Sequence, residues 1–225
     1  MKKIVMYILL IVASASTGAY AQKDVEAKVI LNAVSKKYHA YDIVKSDFTL
    51  TIEDQQNNAQ QMQNGTLIVQ AKTNKYKLTL YQEGSGIAIE EEIISDGKNQ
   101  WTYLTKDKEV QLNKVDNSDE GFNPAQMFTL YENGYKYLYT GNGTVKGRVY
   151  QVIDLTPEDA KKSFFKVRIM VDKLKKQLFN ALIFDNNGTR YSYEIKTFTP
   201  NVQVPESIFS YDSKAHPGVE VVDLR

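Results

Sequence analysis

The sequence predicts a mainly β (α+β) protein, a single curved antiparallel sheet of about ten strands with two helices available to cover it. Three observations carry that reading. From Asp47 onward apolar residues recur at a period of two, pairs of Asn-Gly and Asp-Gly type interrupt them at short intervals, and helical spacing appears in only two stretches. Parallel pairing is disfavoured, because no helix-length crossover separates consecutive strands.

The chain opens with Lys2 and Lys3, an apolar run from Ile4 to Val12, and small residues ending in Ala19-Tyr20-Ala21. This is the pattern of a secretory signal peptide, with cleavage expected after Ala21 and one domain over residues 22–225. The apolar run is well short of the ~20 residues that a membrane span needs. Loss of the leader removes two lysines, so the formal charge of +1 turns slightly negative. That balance gives no reason to expect nucleic acid or an anionic membrane as partner. With no cysteine the fold has no disulfide and must rest on its core.

From Lys23 to Tyr41, Ile30, Val34, Tyr38 and Tyr41 fall at spacings of four, four and three, which predicts an amphipathic helix. Phe48, Leu50 and Ile52 then alternate with Thr49, Thr51 and Glu53, a half-buried strand. The pattern repeats: Leu67 and Val69 after Asn64-Gly65; Tyr76, Leu78 and Leu80 before Gly84-Ser85-Gly86; Ile87 and Ile89 before Asp96-Gly97. Trp101 and Tyr103 follow, then Lys106-Asp107-Lys108, then Val110 and Leu112. Asn-Gly and Asp-Gly pairs supply the positive φ angles of tight hairpins, so consecutive strands are expected to be antiparallel neighbours.

A polar stretch from Asn117 leads to Asn123-Pro124, an N-cap followed by proline in the first turn. Met127, Phe128 and Tyr131 then keep helical spacing as far as Gly134. Strands resume at Tyr137 and Tyr139, Val149 to Leu155, Phe165 to Val171, Leu178 to Phe184 and Tyr191 to Ile195. Thr156 to Ser163 reads as a short helical turn or charged loop, Phe209 and Tyr211 as one further strand, and Val219 to Asp223 as the close of the chain. Three Asn-Gly-Thr tripeptides, starting at Asn64, Asn142 and Asn187, match the glycosylation acceptor pattern. Turn chemistry is the better account, with Asn-Gly at the reversal and Thr as the first β-preferring residue after it.

Catalysis finds little support. The two histidines, His39 and His216, lie far apart in the chain, and no metal-ligand spacing, nucleophile elbow or phosphate loop is present, so no metal and no cofactor are expected. Glu90-Glu91-Glu92 reads as a solvated or edge-protecting strand rather than as paired catalytic carboxylates. The excess is in aromatics: 15 Tyr, 9 Phe and one Trp, enough to fill a core or to line an apolar cavity.

In their order, several short pieces resemble the outer-membrane lipoprotein carrier family, the LolA-like proteins, over nearly the whole chain after the leader. They are the amphipathic helix with Ser46-Asp47-Phe48; Gly65-Thr66-Leu67-Ile68-Val69; Ser95-Asp96-Gly97-Lys98 leading to Trp101-Thr102-Tyr103; and the Asn123-Pro124 segment. Further on come Tyr150 to Pro157, Ile169 to Asp172, Asp185 to Gly188, Phe209-Ser210-Tyr211 and Pro217 to Asp223.

The resemblance implies an incomplete barrel of about ten or eleven strands, closed by the N-terminal helix and a mid-chain helical lid. It implies a non-enzymatic periplasmic carrier that shields lipoprotein acyl chains. Its partners would be acylated lipoproteins, an inner-membrane lipoprotein-releasing ABC transporter and an outer-membrane acceptor of unspecified identity; the carrier itself would be a monomer. Strand alternation then assigns the acyl-chain cavity to Phe48, Leu50, Ile52, Leu67, Val69, Leu78, Leu80, Ile87, Ile89, Trp101 and Tyr103, with Ile30, Val34, Met127, Phe128 and Tyr131 from the helices. In the family an Arg-Pro pair after the Gly-x-Leu-x-Val strand holds the lid. Here the aligned pair is Ala71-Lys72, so Lys72 is the latch candidate, with a charge but without the planar fork of Arg. The loop between Tyr211 and Pro217 is two residues longer than the commoner pattern. The alternatives are a lipoprotein- or lipid-sensing envelope-stress regulator built on the same half-barrel and, ranked last, a secreted glycan hydrolase.

Overall fold

The computed structural model describes residues 18–115 and 126–225, with residues 18–24 described by their backbone alone. Among the described residues one α-helix, α1 (Gly18–Tyr38), precedes twelve strands that form a single open, curved sheet. The first meander comprises β1 (Ile43–Asp54), β2 (Ala59–Gln70), β3 (Lys75–Tyr81), β4 (Ile89–Asp96), β5 (Asn99–Leu104) and β6 (Glu109–Lys114). The second comprises β7 (Tyr135–Val145), β8 (Arg148–Pro157), β9 (Phe164–Asp172), β10 (Gln177–Asp185) and β11 (Thr189–Pro200), and β12 (Glu220–Asp223) ends the chain. β11 pairs with β1 and joins the two meanders, giving the order β12-β6-β5-β4-β3-β2-β1-β11-β10-β9-β8-β7.

The predicted antiparallel sheet is present, with one strand pair against the rule. β12 runs parallel to β6, because the chain reaches it by crossing the sheet rather than by a hairpin. Phe209 belongs to a 3-10 turn, Glu206–Phe209, not to a strand. Among the described residues the mid-chain element is a 3-10 turn at Leu130–Glu132 and not an α-helix; Asn123 and Pro124, which were to start that helix, lie outside them. The expected leader also lies largely outside them. α1 begins before Lys23 and ends before Tyr41. Among the described residues no helix is long and apolar enough to cross a membrane.

Two of the three Asn-Gly pairs do not turn. Asn64-Gly65 lies in the middle of β2 and Asn142-Gly143 inside β7, whereas Gly188, at φ +90°, does sit in the β10–β11 turn. The β1–β2 reversal comes earlier, where Asn58 takes a left-handed φ of 53° and the Asp54 carboxylate accepts the backbone N–H groups of Gln56 and Asn57. Gly65 serves packing instead: it pairs with Phe48, and a Cβ there would lie 2.4 Å from the Phe48 ring.

Register defines two faces. The inner face carries Val44, Phe48 and Leu50 of β1, Leu67 and Val69 of β2, and Tyr76 and Leu78 of β3. Across the β1–β11 seam it continues through Ile195, Ala181, Ile183, Ile169, Val167, Ile153 and Leu155. At β4 the apolar side changes over. Ile93 is the last apolar inner residue of that strand; opposite it and beyond stand Thr102, Gln100 and Gln111, while Ile94, Trp101, Val110 and Leu112 look outward. The acidic run lies on an interior strand, not at an edge, and its members differ: Glu90 is exposed as expected, whereas Glu92, on the outer side of β4, is buried and paired with Lys77 at 2.8 Å.

Candidate functional site

The inner face is apolar and covered. α1 presents Ala27, Ile30, Leu31, Val34 and Tyr38, one stripe of a helix, and all five are buried. Met127, Phe128, Leu130 and Tyr131 from the mid-chain segment complete the cover and join the same hydrophobic cluster. Aromatic contacts knit it together: Tyr38 stacks on Phe128 at 5.1 Å, Phe128 meets Phe198 edge-on at 5.5 Å, and Phe48 lies 5.7 Å from Tyr193. Each fully buried side chain of this size contributes about 1.5–3 kcal/mol.

The cover is fastened by side chains. Among the described residues no backbone hydrogen bond joins α1 to a strand. One carboxylate oxygen, Glu132 Oε1, accepts from Ser35 Oγ at 2.6 Å and lies 2.8 Å from His39 Nε2, tying the end of α1 to the mid-chain turn. Lys37 Nζ donates to the Lys175 carbonyl at 2.7 Å. Burial, reinforced by the Glu132 charge, pushes the Tyr38 and Tyr131 hydroxyls well above the ordinary phenol range. Among the described residues the buried Tyr131 hydroxyl has no hydrogen-bond partner. A polar atom left so within the cover, near Glu132 and Tyr38, is a cost that a filled apolar core does not carry.

At the end of the sheet away from the C-terminus of α1 the inner face opens into a cleft of about 620 Å³. Leu50, Ile52, Met62 and Ile89 form its apolar part, and Gln61, Gln63, Gln82, Glu83, Glu90, Thr105 and Lys106 its polar lining. Gln63 Nε2 donates to Glu90 Oε2 at 2.6 Å across this mouth. Glu91 belongs to the inner face beside Leu80 and Leu104, where burial, with the neighbouring Glu90 charge, raises its carboxyl pKa. The arrangement is suited to an amphiphile, with apolar surface inside and hydrogen-bonding groups at the entrance.

The sequence-assigned cavity residues separate into groups. Ile30, Val34, Phe48, Leu50, Leu67, Val69, Leu78, Met127, Phe128 and Tyr131 are buried in the inner cluster, Ile52 and Leu80 pack half-buried against it, and Ile89 stands at the mouth. Ile87 is instead 85% exposed in the β3–β4 loop. Trp101 and Tyr103 are on the outer face, where Tyr103 packs against His216 at 5.2 Å and Tyr211 at 6.3 Å. Their alternation is real, but it belongs to a second cover, the C-terminal segment. Lys72 takes a left-handed φ of 64° and shares a cleft with Tyr38, His39 and Glu132, yet among the described residues it makes no ion pair. The tie at that place runs through Glu132.

Sequence reasoning missed half of the inner face. Tyr139, Ile153, Leu155, Val167, Ile169, Val171, Ala181 and Ile183 from the second meander are as buried as the chosen residues. Their period-two spacing was available as a signal. Glu132, Ser35 and His39 had none, because their partnership joins residues 93 and 97 positions apart.

Comparison with known proteins agrees with this architecture. A search of curated proteins returned no significant sequence match. Among solved structures, a conserved protein from Thermus thermophilus superposes with a TM-score of 0.56 at 10% identity, covering 88% of this chain and 99% of the other. A LolA superfamily protein from Nitrosomonas europaea gives a TM-score of 0.46 at 13% identity, covering 83% and 98%. The family model described as outer membrane lipoprotein carrier protein LolA matches residues 39–212, from the end of α1 to Asp212 just after the 3-10 turn that covers the outer face. With that match over most of its length, on an open sheet whose apolar face lies under a helix, the chain belongs to the LolA family of outer membrane lipoprotein carrier proteins.

Proposed function

We propose that this protein is a non-enzymatic periplasmic carrier, exported by a leader cleaved after Ala21, that shelters lipoprotein acyl chains on its inner face and moves lipoproteins from the inner to the outer membrane. In this reading it works as a monomer, receives cargo from a lipoprotein-releasing ABC transporter and surrenders it to an outer-membrane acceptor. The observation that carries the proposal is the cover. A continuous apolar face lies under α1 and the Met127–Tyr131 turn, held by side chains alone among the described residues. Exposing an acyl chain to water costs about 0.8 kcal/mol per methylene, on the order of 10 kcal/mol for a long chain. The cover occupies the place that cargo needs, so acyl chains enter as it lifts, beginning at the open cleft beside Leu50 and Ile52.

The test is binding of the purified protein to one lipoprotein in acylated and unacylated forms. Capture of the acylated form alone is expected. Equal binding to both, or to neither, sinks the proposal. Ile52→Glu, at the half-buried mouth, should reduce capture of the acylated form at least tenfold while the chain stays folded.

A further inference from the structure

At the end of the sheet opposite the open cleft, the β7–β8 and β9–β10 turns lie side by side. Tyr150 pairs with Asp172, and Lys173 N donates to the Val149 carbonyl at 3.2 Å. Leu174, at the tip of the β9–β10 turn, is 93% exposed, and Val149 beside it is 42% exposed. Lys173 and Lys175 flank that leucine, and Lys146 and Arg148 project from the neighbouring turn, all four exposed.

The acids nearby are already engaged. Asp172 Oδ1 accepts the backbone N–H groups of Leu174 and Lys175 at 2.9 and 2.8 Å, and Glu194 is paired with Lys196 at 2.6 Å. Among the described residues, none of Lys146, Arg148, Lys173 and Lys175 forms an ion pair. Lys146, Arg148 and Lys175 rim a cleft of about 470 Å³ that contains the stacked rings of Tyr150 and Phe179, 4.2 Å apart. The tip is also braced, since the Lys175 carbonyl accepts Lys37 Nζ and Lys176 N donates to the Asp172 carbonyl at 2.9 Å. Leu174 is therefore held out into solvent by a fixed turn.

A net charge near zero had given no reason to expect an anionic surface as partner. It conceals this local excess. A soluble polyanion would satisfy the cations and leave Leu174 with nothing to bury against. A bilayer of anionic phospholipid satisfies both, taking the leucine at the acyl boundary and the basic groups among the phosphates.

We propose that the paired β7–β8 and β9–β10 turns form a docking surface for anionic phospholipid bilayers, with Leu174 inserted and Lys146, Arg148, Lys173 and Lys175 at the headgroups. This surface lies at the far end of the sheet from the open mouth, so a docked molecule keeps its cleft clear of the bilayer. The proposal stands apart from the cargo assignment, because its test contains no lipoprotein.

The test is flotation of the full chain with vesicles of phosphatidylglycerol and phosphatidylcholine, against phosphatidylcholine alone. Every variant shares one N terminus, so any affinity of the apolar N-terminal run cancels in the comparison. Replacing Lys146, Lys173 and Lys175 together with Gln should weaken binding to the anionic vesicles by roughly 100-fold, at about fivefold per charge. Leu174→Ser should weaken it several-fold, and raising the salt should weaken the parent chain towards the level of the triple variant. A control replacing Lys108, Lys136 and Lys161 with Gln, the same loss of charge at the other end of the sheet, should bind like the parent. Equal losses in the two triple variants would overturn the proposal in favour of a net-charge effect. Parent binding to anionic vesicles no greater than to neutral ones would overturn it, and so would binding to a DNA duplex that matches the vesicles and ignores Leu174→Ser.

Discussion

The two faces of the sheet are covered in different ways. On the outer face of β4–β6 the C-terminal segment lies over Ile94, Val110 and Leu112 and buries Phe209 to 2%. It is stitched down by the β12–β6 ladder, by Glu220 N to the Lys108 carbonyl and Leu224 N to the Leu112 carbonyl, and by the Lys75–Glu206 ion pair. On the inner face α1 and the mid-chain turn join the main hydrophobic cluster, yet the described residues give them no backbone hydrogen bond to any strand. Lifting the outer cover would break a ladder and leave its donors unpaired. Lifting the inner cover exposes only side chains, and a ligand of matching apolar surface can replace those contacts. The outer cover is suited to permanence and the inner one to exchange.

The largest disruption should come at Gly65, where the inner face has no room. Gly65→Val drives a side chain into the Phe48 ring, so the variant incurs overpacking of about 1–3 kcal/mol and loses much of the burial of Phe48, itself about 3–5 kcal/mol. Chemical denaturation should find it unfolded or nearly so. Shrinking the neighbour in a Gly65→Val, Phe48→Ala double variant should recover part of the loss. Gly188→Val should cost only about 1–2 kcal/mol, the strain of a side chain at φ +90° where a Cβ would meet nothing closer than the Gln56 side chain at 3.8 Å. Equal costs at both glycines would contradict the assignment of Gly65 to packing and return it to turn chemistry.

Next comes the outer cover. Phe209→Ala should cost about 3–5 kcal/mol in denaturant unfolding while leaving the affinity of the folded protein for acylated cargo unchanged. Glu132→Gln on the inner cover should do the reverse. It removes the carboxylate that ties Ser35 and His39, a partly exposed interaction worth only about 1 kcal/mol. It should nevertheless speed the uptake of an environment-sensitive apolar dye several-fold, because the tie is made in the closed cover alone. If Phe209→Ala changes cargo affinity, or Glu132→Gln leaves dye uptake untouched, the division between a permanent and an exchangeable cover fails.

How much of this was legible in the sequence depends on how local the signal is. Alternation at Phe48, Leu50 and Ile52 placed an apolar stripe on β1, and helical spacing at Ile30 and Val34 found the face of α1, because both patterns are written within one element. The same rule misplaced Trp101 and Tyr103. Alternation says that a strand has an apolar side, but not which cover lies over it, and in β4 that side changes over between Ile93 and Ile94. The inner residues of the second meander went unassigned because the β1–β11 seam, which brings Ile195 beside Phe48, joins segments about 150 positions apart. Asn64-Gly65 misled because glycine answers two needs, a positive φ and the lack of a Cβ, and only the position of Phe48 tells them apart.

The smallest expected effect compares the faces at two adjacent carboxylates. Glu92, on the outer face, is buried but paired with Lys77 at 2.8 Å and reached by Thr79 Oγ1 at 3.3 Å. Glu91, on the inner face, has Leu80 and Leu104 as cross-strand neighbours and, among the described residues, no ion pair. Burial, then the charge of Glu90, raises its folded-state pKa. A carboxyl whose pKa rises on folding favours the folded state while protonated and loses that contribution as pH climbs through the folded value, so ionised Glu91 is a small penalty at neutral pH. Glu91→Gln should therefore raise the melting temperature slightly at pH 7, by about 1–3 °C, with the gain vanishing in acid where the parent is already protonated. Glu92→Gln should lower it at pH 7, by leaving Lys77 without its charge partner. Opposite signs at neighbouring positions would show that polarity is tolerated on the inner face at a cost and built into the outer one; the same sign at both would remove the distinction at the point where the apolar side of the sheet changes over.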